Sequence, residues 1–140
     1  TTHDTATFCG WWRGHDIAVR EGAGQLPIGQ TRDAAEEARA HERAMMWRAL
    51  ADAGTTQGAA RPEPSDPAPA LDAAFRFLSA SAATLVVAPL EDALGRDEQP
   101  NLPGTTDEHP NWRRRYPGEA PTLLDAPEVE ARLAMLSARG

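Results

Sequence analysis

An imidazole and a carboxylate stand side by side at His3 and Asp4, with hydroxyls at Thr2, Thr5 and Thr7 and two indoles at Trp11 and Trp12. Pyranose rings present apolar C–H faces that stack on aromatic side chains, and hydroxyl edges that pair with carboxylates and imidazoles, so this mixture suits a sugar. A plainer reading stands beside it, in which His3 and Asp4 cap a loop and the tryptophans fill a core. The dipeptide recurs at His15-Asp16, which could be taken for a metal-dependent phosphohydrolase with His and Asp ligands supplied from a helical bundle. The simpler reading is that Asp16 opens a helix reaching Glu21, where an acid near the amino end is favoured by the macrodipole. His41 falls on a charged helix face and is expected in solvent, and His109, next to Pro110, is expected at the surface. Arg113, Arg114 and Arg115 with Tyr116 make the only basic cluster. An RNA contact would use such arginines for stacking and phosphate pairing, but pairing with Asp107, Glu108 and Glu119 fits the composition better.

That composition excludes whole classes of chemistry. All fourteen basic residues are arginine, so Schiff-base formation and the lysine of a phosphate-binding loop are absent. A formal net charge of −7 repels phosphate backbones, and no nucleic-acid partner is expected. No apolar run approaches the roughly 20 residues of a membrane span, and the first ten residues lack the basic start and apolar stretch of a secretory signal. A cytoplasmic setting without a membrane partner is expected. The single cysteine, Cys9, provides neither a disulfide framework nor a sulfur-rich zinc site. The chain starts at Thr1 without an initiator methionine, which reads as an internal start.

The elements that must position these residues are chiefly helical. Residues 33–53 are rich in Ala, Glu and Arg, with a cap at Asp33 and Glu36 three residues on. Ala38, Met45, Met46, Ala49, Leu50 and Ala53 would bury one face, leaving Glu37, Arg39, Arg43 and Arg48 hydrated. Glycines and prolines between Gly54 and Pro69 predict an exposed connection. Leu71, Ala74, Phe75, Leu78 and Ala82 then repeat at helical spacing over 67–82. Thr84 to Ala88 is a short beta-branched, apolar run, as in a strand buried on both faces of a parallel sheet. A turn of helix from Pro89 to Leu94 leads to a long loop over 97–118, a length that is usually functional or disordered. Asp125, Pro127 and Glu128 open a terminal helix over 126–137, with Val129, Leu133 and Leu136 on one face.

The long loop carries the second informative stretch. Glu91-Asp92-Ala93-Leu94-Gly95 is followed by Gln99-Pro100-Asn101-Leu102-Pro103-Gly104-Thr105 and then by Pro110-Asn111-Trp112-Arg113. Together with Thr2-His3-Asp4-Thr5 and Gly10-Trp11-Trp12, this resembles the end of the amylomaltases, the 4-alpha-glucanotransferases of glycoside hydrolase family 77. The match spans nearly the whole chain, and its most specific part is Asn101 to Thr105 with Asn111-Trp112 close behind.

The resemblance implies that residues 1–140 are the carboxy-terminal part of a (β/α)8 barrel, from the end of the seventh strand through the terminal helix. The fold expected for the chain is mainly α with one or few parallel β-strands, the eighth barrel strand being 84–88. Barrel sites lie at the carboxyl ends of strands, so the two motif stretches would face one sugar-binding cleft. It further implies that Asp4 is a third carboxylate that stabilises the transition state, and that His3, Trp11, Asn101, Gly104 and Trp112 bind substrate. Maltooligosaccharides or other alpha-1,4-glucans are the implied partners, with no cofactor and no metal. The nucleophile and the acid/base of a retaining reaction would precede this segment, leaving the isolated chain inert. A non-catalytic helical interaction module is the other reading of the chain itself. An uncovered apolar strand would also drive it to pair with a second copy.

Overall fold

A computed structural model describes residues 3–137. Among them six α-helices follow in order: α1 Phe8–Arg13, α2 His15–Gly22, α3 Arg32–Asp52, α4 Ala68–Ser79, α5 Leu90–Ala93 and α6 Pro127–Ser137, with a 3-10 turn at Ala120–Thr122. No helix among the described residues is long and apolar enough to cross a membrane.

The first helix was not expected from the sequence, and it organises the molecule. Thr7 caps it, the Thr7 Oγ1 accepting from the Gly10 N–H at 3.0 Å. Gly14, in the left-handed region at φ 82°, closes α1 and turns the chain directly into α2, a conformation that favours glycine. Trp12 is wholly buried, stacked on Phe8 at 5.9 Å and edge-on to Trp47 at 6.4 Å, with Leu50, Ala70 and Ala73 around it. On the other side of α1, Cys9 packs with Leu71, Phe75 and Ala93, and Leu133 and Leu136 of α6 close this second cluster. Helix α4 thus feeds both clusters, its small residues on Trp12 and its large ones on Cys9. Truncating a buried indole such as Trp12 costs about 3–5 kcal/mol.

Helix α3 runs close to its expected limits, capped by Thr31, whose Oγ1 accepts from Ala34 N–H at 3.2 Å, two residues before the expected cap. Its buried face is not the expected one. Ala35, Arg39, Trp47 and Leu50 are buried, whereas Ala38, Met45, Ala49 and Ala53 are exposed. Arg39, expected in water, forks onto Asp16 of α2 with bonds of 2.7 and 2.9 Å. Burial alone would lower its pKa, but the hydrogen bond and charge of Asp16 prevail and hold it above the ordinary value. Both oxygens of Asp16 are therefore committed to a guanidinium, which corrects the metal-ligand reading of His15-Asp16. Arg132 does the same for the other end of the molecule, joining α6 to Asp72 at 2.8 Å and to the Ala93 carbonyl at 3.1 Å.

The expected strand at 84–88 does not form among the described residues. No residue pairs as a strand among those described, and Leu85 and Val87 are 78% and 75% exposed. A parallel strand obtains its ladder from neighbours in the sheet, and residues 3–137 contain none, so the apolar run lies as an unpaired link between α4 and α5.

Candidate functional site

The two motif stretches, nearly a hundred residues apart in sequence, meet in space. Each is held by polar side chains turned onto backbone. At the start, the Thr7 hydroxyl donates to the Asp97 carbonyl at 3.0 Å, and Asp92 Oδ1 of α5 accepts from the Phe8 N–H at 2.7 Å. These two contacts fasten the entry to α1 onto the root of the long loop. Asp92 is buried, which raises its pKa, the Phe8 hydrogen bond acting in the opposite direction. Arg13 adds a bond to the Asp97 carboxylate at 3.0 Å.

The loop 97–118 contains neither helix nor strand, and its order comes from side chains replacing the missing ladder. Asn111 accepts from Leu102 N–H at 2.8 Å and donates to Thr105 at 2.9 and 3.1 Å. Gln99 donates to the Asn101 carbonyl at 2.7 Å. His109, expected at the surface, is buried with its Nε2 3.1 Å from the Gln99 carbonyl oxygen. Trp112 takes φ 58°, uncommon for a non-glycine residue, and its N–H donates to the Pro100 carbonyl at 3.0 Å.

So braced, the loop brings two residues, Asn101 and Trp112, to the opening segment. The Asn101 amide donates to Asp4 Oδ1 at 2.6 Å. His3 Nε2 lies 3.3 Å from the same oxygen, and the His3 ring sits 5.0 Å from the Trp112 indole. His3 and Trp112 border a cavity of about 430 Å³ that also meets Thr5, Glu91, Asp92 and Pro100. The Asp4 side chain is 45% exposed. An imidazole and an open indole on the cavity, with the Asp4 carboxylate and the Asn101 amide bonded beside them, are groups that can take the hydroxyl edge and the C–H face of a sugar.

The other two expected site residues lie elsewhere. Trp11 packs against the core and under the Arg39 guanidinium at 4.7 Å, bordering an adjoining cavity of about 580 Å³ lined by Leu71 and Phe75 and sharing Val87 and Asp92 with the first. Gly104 turns at φ 78° between Pro103 and Thr105, where the Gln25 amide donates to the Pro103 carbonyl at 2.8 Å. It borders neither cavity. Asp92 and Glu91 belong to the second motif stretch, but nothing in the sequence singles them out as site residues. Their run of two acids ahead of a glycine was the available signal, but helix capping explains such a run equally well. Glu91 accepts from the Tyr116 hydroxyl, and burial together with that bond pushes the phenol up to about 12. The expected pairing of Arg113–Arg115 with Glu108 is absent among the described residues. Glu108 turns instead to the Thr106 and Asp107 N–H groups at 2.8 and 3.1 Å. Among the described residues no three or more His, Cys, Asp or Glu side chains are grouped so as to hold a metal ion.

Comparison with known proteins points the same way as the motifs. The glycoside hydrolase family 77 model, described as 4-alpha-glucanotransferase, matches residues 1–121. Proteins named 4-alpha-glucanotransferase from Mycobacterium bovis and from the CDC 1551 and H37Rv strains of Mycobacterium tuberculosis are each 34% identical over 139 residues. The alignment covers 98% of this chain and 18% of each relative, so the chain spans under a fifth of their length. No solved structure matches it. A family match over residues 1–121 that contains both halves of the converging cluster leaves one assignment, and the chain belongs to the 4-alpha-glucanotransferases of glycoside hydrolase family 77.

Proposed function

We propose that this chain is the carboxy-terminal part of a larger 4-alpha-glucanotransferase that moves alpha-1,4-glucan segments between maltooligosaccharides with retention of configuration. In such a reaction one carboxylate attacks the anomeric carbon and expels the leaving sugar, protonated by a second group, and an acceptor hydroxyl then resolves the glycosyl-enzyme. The two reacting carboxylates lie upstream of this chain. Asp4 is a third, non-nucleophilic carboxylate that holds ring hydroxyls of the sugar at the point of cleavage and favours its distortion toward the oxocarbenium-like state. His3 shares that task, Trp112 offers a face for a sugar ring, and Trp11 and Gly104 act through the frame around them. In the larger protein residues 84–88 form the last barrel strand, which is why they are apolar and yet uncovered here.

The observation that carries this reading is the 2.6 Å bond between Asp4 and Asn101, because it joins the two family motifs beside the cavity that His3 and Trp112 border. Glucose release from maltotriose tests it. The larger protein is expected to disproportionate maltotriose, Asp4→Asn to lower kcat by roughly a thousandfold, a loss typical of removing one transition-state charge contact, and the 140-residue chain alone to be inert. Turnover by the chain alone, or an Asp4→Asn variant with full activity, would overturn the assignment of Asp4. An inactive larger protein would leave the non-catalytic interaction module.

A further inference from the structure

Asn101 is not a free amide beside the cavity. Its side chain is spent on Asp4 Oδ1 at 2.6 Å, the Pro100 carbonyl before it accepts from the Trp112 backbone N–H at 3.0 Å, and the peptide that follows it is held at both its ends. The Gln99 amide holds the Asn101 carbonyl at 2.7 Å, and Asn111 holds the next N–H, that of Leu102, at 2.8 Å. His109 in turn bonds the Gln99 carbonyl. An exposed aspartate such as Asp4, with two side-chain torsions, samples several rotamers unless something stops it. The amide is mounted on a braced loop and reaches across 97 positions of sequence, while His3 touches the same oxygen at 3.3 Å.

We propose that Asn101 is a positioning residue for Asp4: it and His3 engage Oδ1, so that the carboxylate is locked in one orientation with Oδ2 presented to the sugar hydroxyls. This rests on the role proposed above for Asp4. A donor on one oxygen fits the purpose, because an amide N–H supports the ionised carboxylate without competing for the hydroxyl protons of the sugar. The orientation matters most where the ring distorts, so its loss falls on the transition state and not on ground-state binding.

The test uses the larger protein, with maltotriose as substrate. Asn101→Ala is expected to lower kcat roughly ten- to hundredfold, the range for misplacing a catalytic group by about 1 Å, with KM changed less than about twofold and the thermal midpoint close to wild type. An amide that binds sugar directly would instead raise KM and spare kcat, which would overturn the proposal. Asn101→Asp keeps the shape and carries the test even if the alanine variant fails to fold. It sets an acceptor against Asp4, so its activity relative to wild type should be lowest near neutral pH. The ratio should recover as the pH falls and the facing carboxylates come to share a proton. His3, Glu91 and Asp92 also face the cavity, and taking the ratio to wild type at each pH removes their own titration. A ratio that stays flat with pH refutes the hydrogen-bond role. The two readings separate cleanly: full activity of Asp4→Asn sinks the role of Asp4, whereas an inactive Asp4→Asn beside a normal Asn101→Ala sinks only this inference.

Discussion

Replacing Gly10 by alanine puts a methyl group where the fold has left no room. Its Cβ would lie 2.2 Å from the Asp97 carbonyl oxygen and 2.8 Å from Thr7 Oγ1. The first neighbour is backbone and itself accepts the Thr7 hydroxyl, so no rotamer change relieves the clash. Because real Cβ atoms essentially never approach closer than 3.0 Å, helix α1 and the 97 segment must part by about 0.8 Å. Overpacking of this kind costs about 1–3 kcal/mol, which for a chain of this size lowers the midpoint by roughly 3–10 °C. The same displacement opens at the root of the loop that carries Asn101. Added to a 2.6 Å bond, it takes the Asn101–Asp4 distance past the ordinary hydrogen-bond limit of about 3.2 Å, and kcat of the larger protein should fall up to about a hundredfold. Thermal unfolding followed by circular dichroism gives the first number and glucose release the second. Thr7→Val is the control, since it removes the hydroxyl without adding bulk and should cost about 1 kcal/mol per lost hydrogen bond. A Gly10→Ala chain with an unchanged midpoint and unchanged kcat would refute the idea that the contact between α1 and Asp97 sets the position of the loop.

Asp16→Ala leaves the Arg39 guanidinium in the interior with Glu42 at 3.0 Å as its one remaining carboxylate partner among the described residues, beside the Trp11 carbonyl and ring, and should cost about 3 kcal/mol in urea titration. The double variant Asp16→Leu with Arg39→Met should cost clearly less than its two single changes together, and additivity within about 0.5 kcal/mol would mean that the pair is not coupled. Burial pushes the Cys9 thiol up to about 12, so it should resist a disulfide reagent near pH 8 in the folded chain and react fully in denaturant; prompt reaction of the native protein would place Cys9 outside the core. The exposed Leu85 and Val87 should make the isolated chain self-associate at micromolar concentration, and Leu85→Glu with Val87→Glu should restore a monomer by light scattering. An isolated chain that is already strictly monomeric contradicts that expectation.

The helices were legible wherever an apolar stripe and a cap coincided. Leu71 and Phe75 are buried as the spacing of α4 demands, and Val129 as that of α6 demands. In α3 the stripe misled because alanine and methionine outnumber the groups that decide the face, which are one tryptophan and one arginine. Trp47 turns in to meet Trp12, and Arg39 follows eight residues earlier on the same side because Asp16 supplies its charge. Periodicity counts apolar residues and cannot see a buried ion pair. The strand failed for a different reason: 84–88 has strand composition, but pairing is a property of neighbours, and none lies within residues 3–137. Helix α1 was hidden by Gly10 in its middle, a residue that weakens helices by about 1 kcal/mol and is required here by the approach of Asp97.

The site was legible only through its motifs, since nothing local connects Asp4 with Asn101. Ordering a loop of this length costs about 1–2 kcal/mol per residue in backbone entropy alone, and without a ladder that cost has to be offset by side chains. This divides the loop into two kinds of polar residue. Gln99, His109 and Asn111 direct their groups at the loop's own backbone, and these are the scaffold. Asn101 and Trp112 direct theirs at Asp4 and His3, and Trp112 remains 63% exposed although its backbone is strained at φ 58°. That strained backbone sets the indole against the His3 ring at 5.0 Å, beside a carboxylate already supplied with a donor, while most of the indole stays open to solvent.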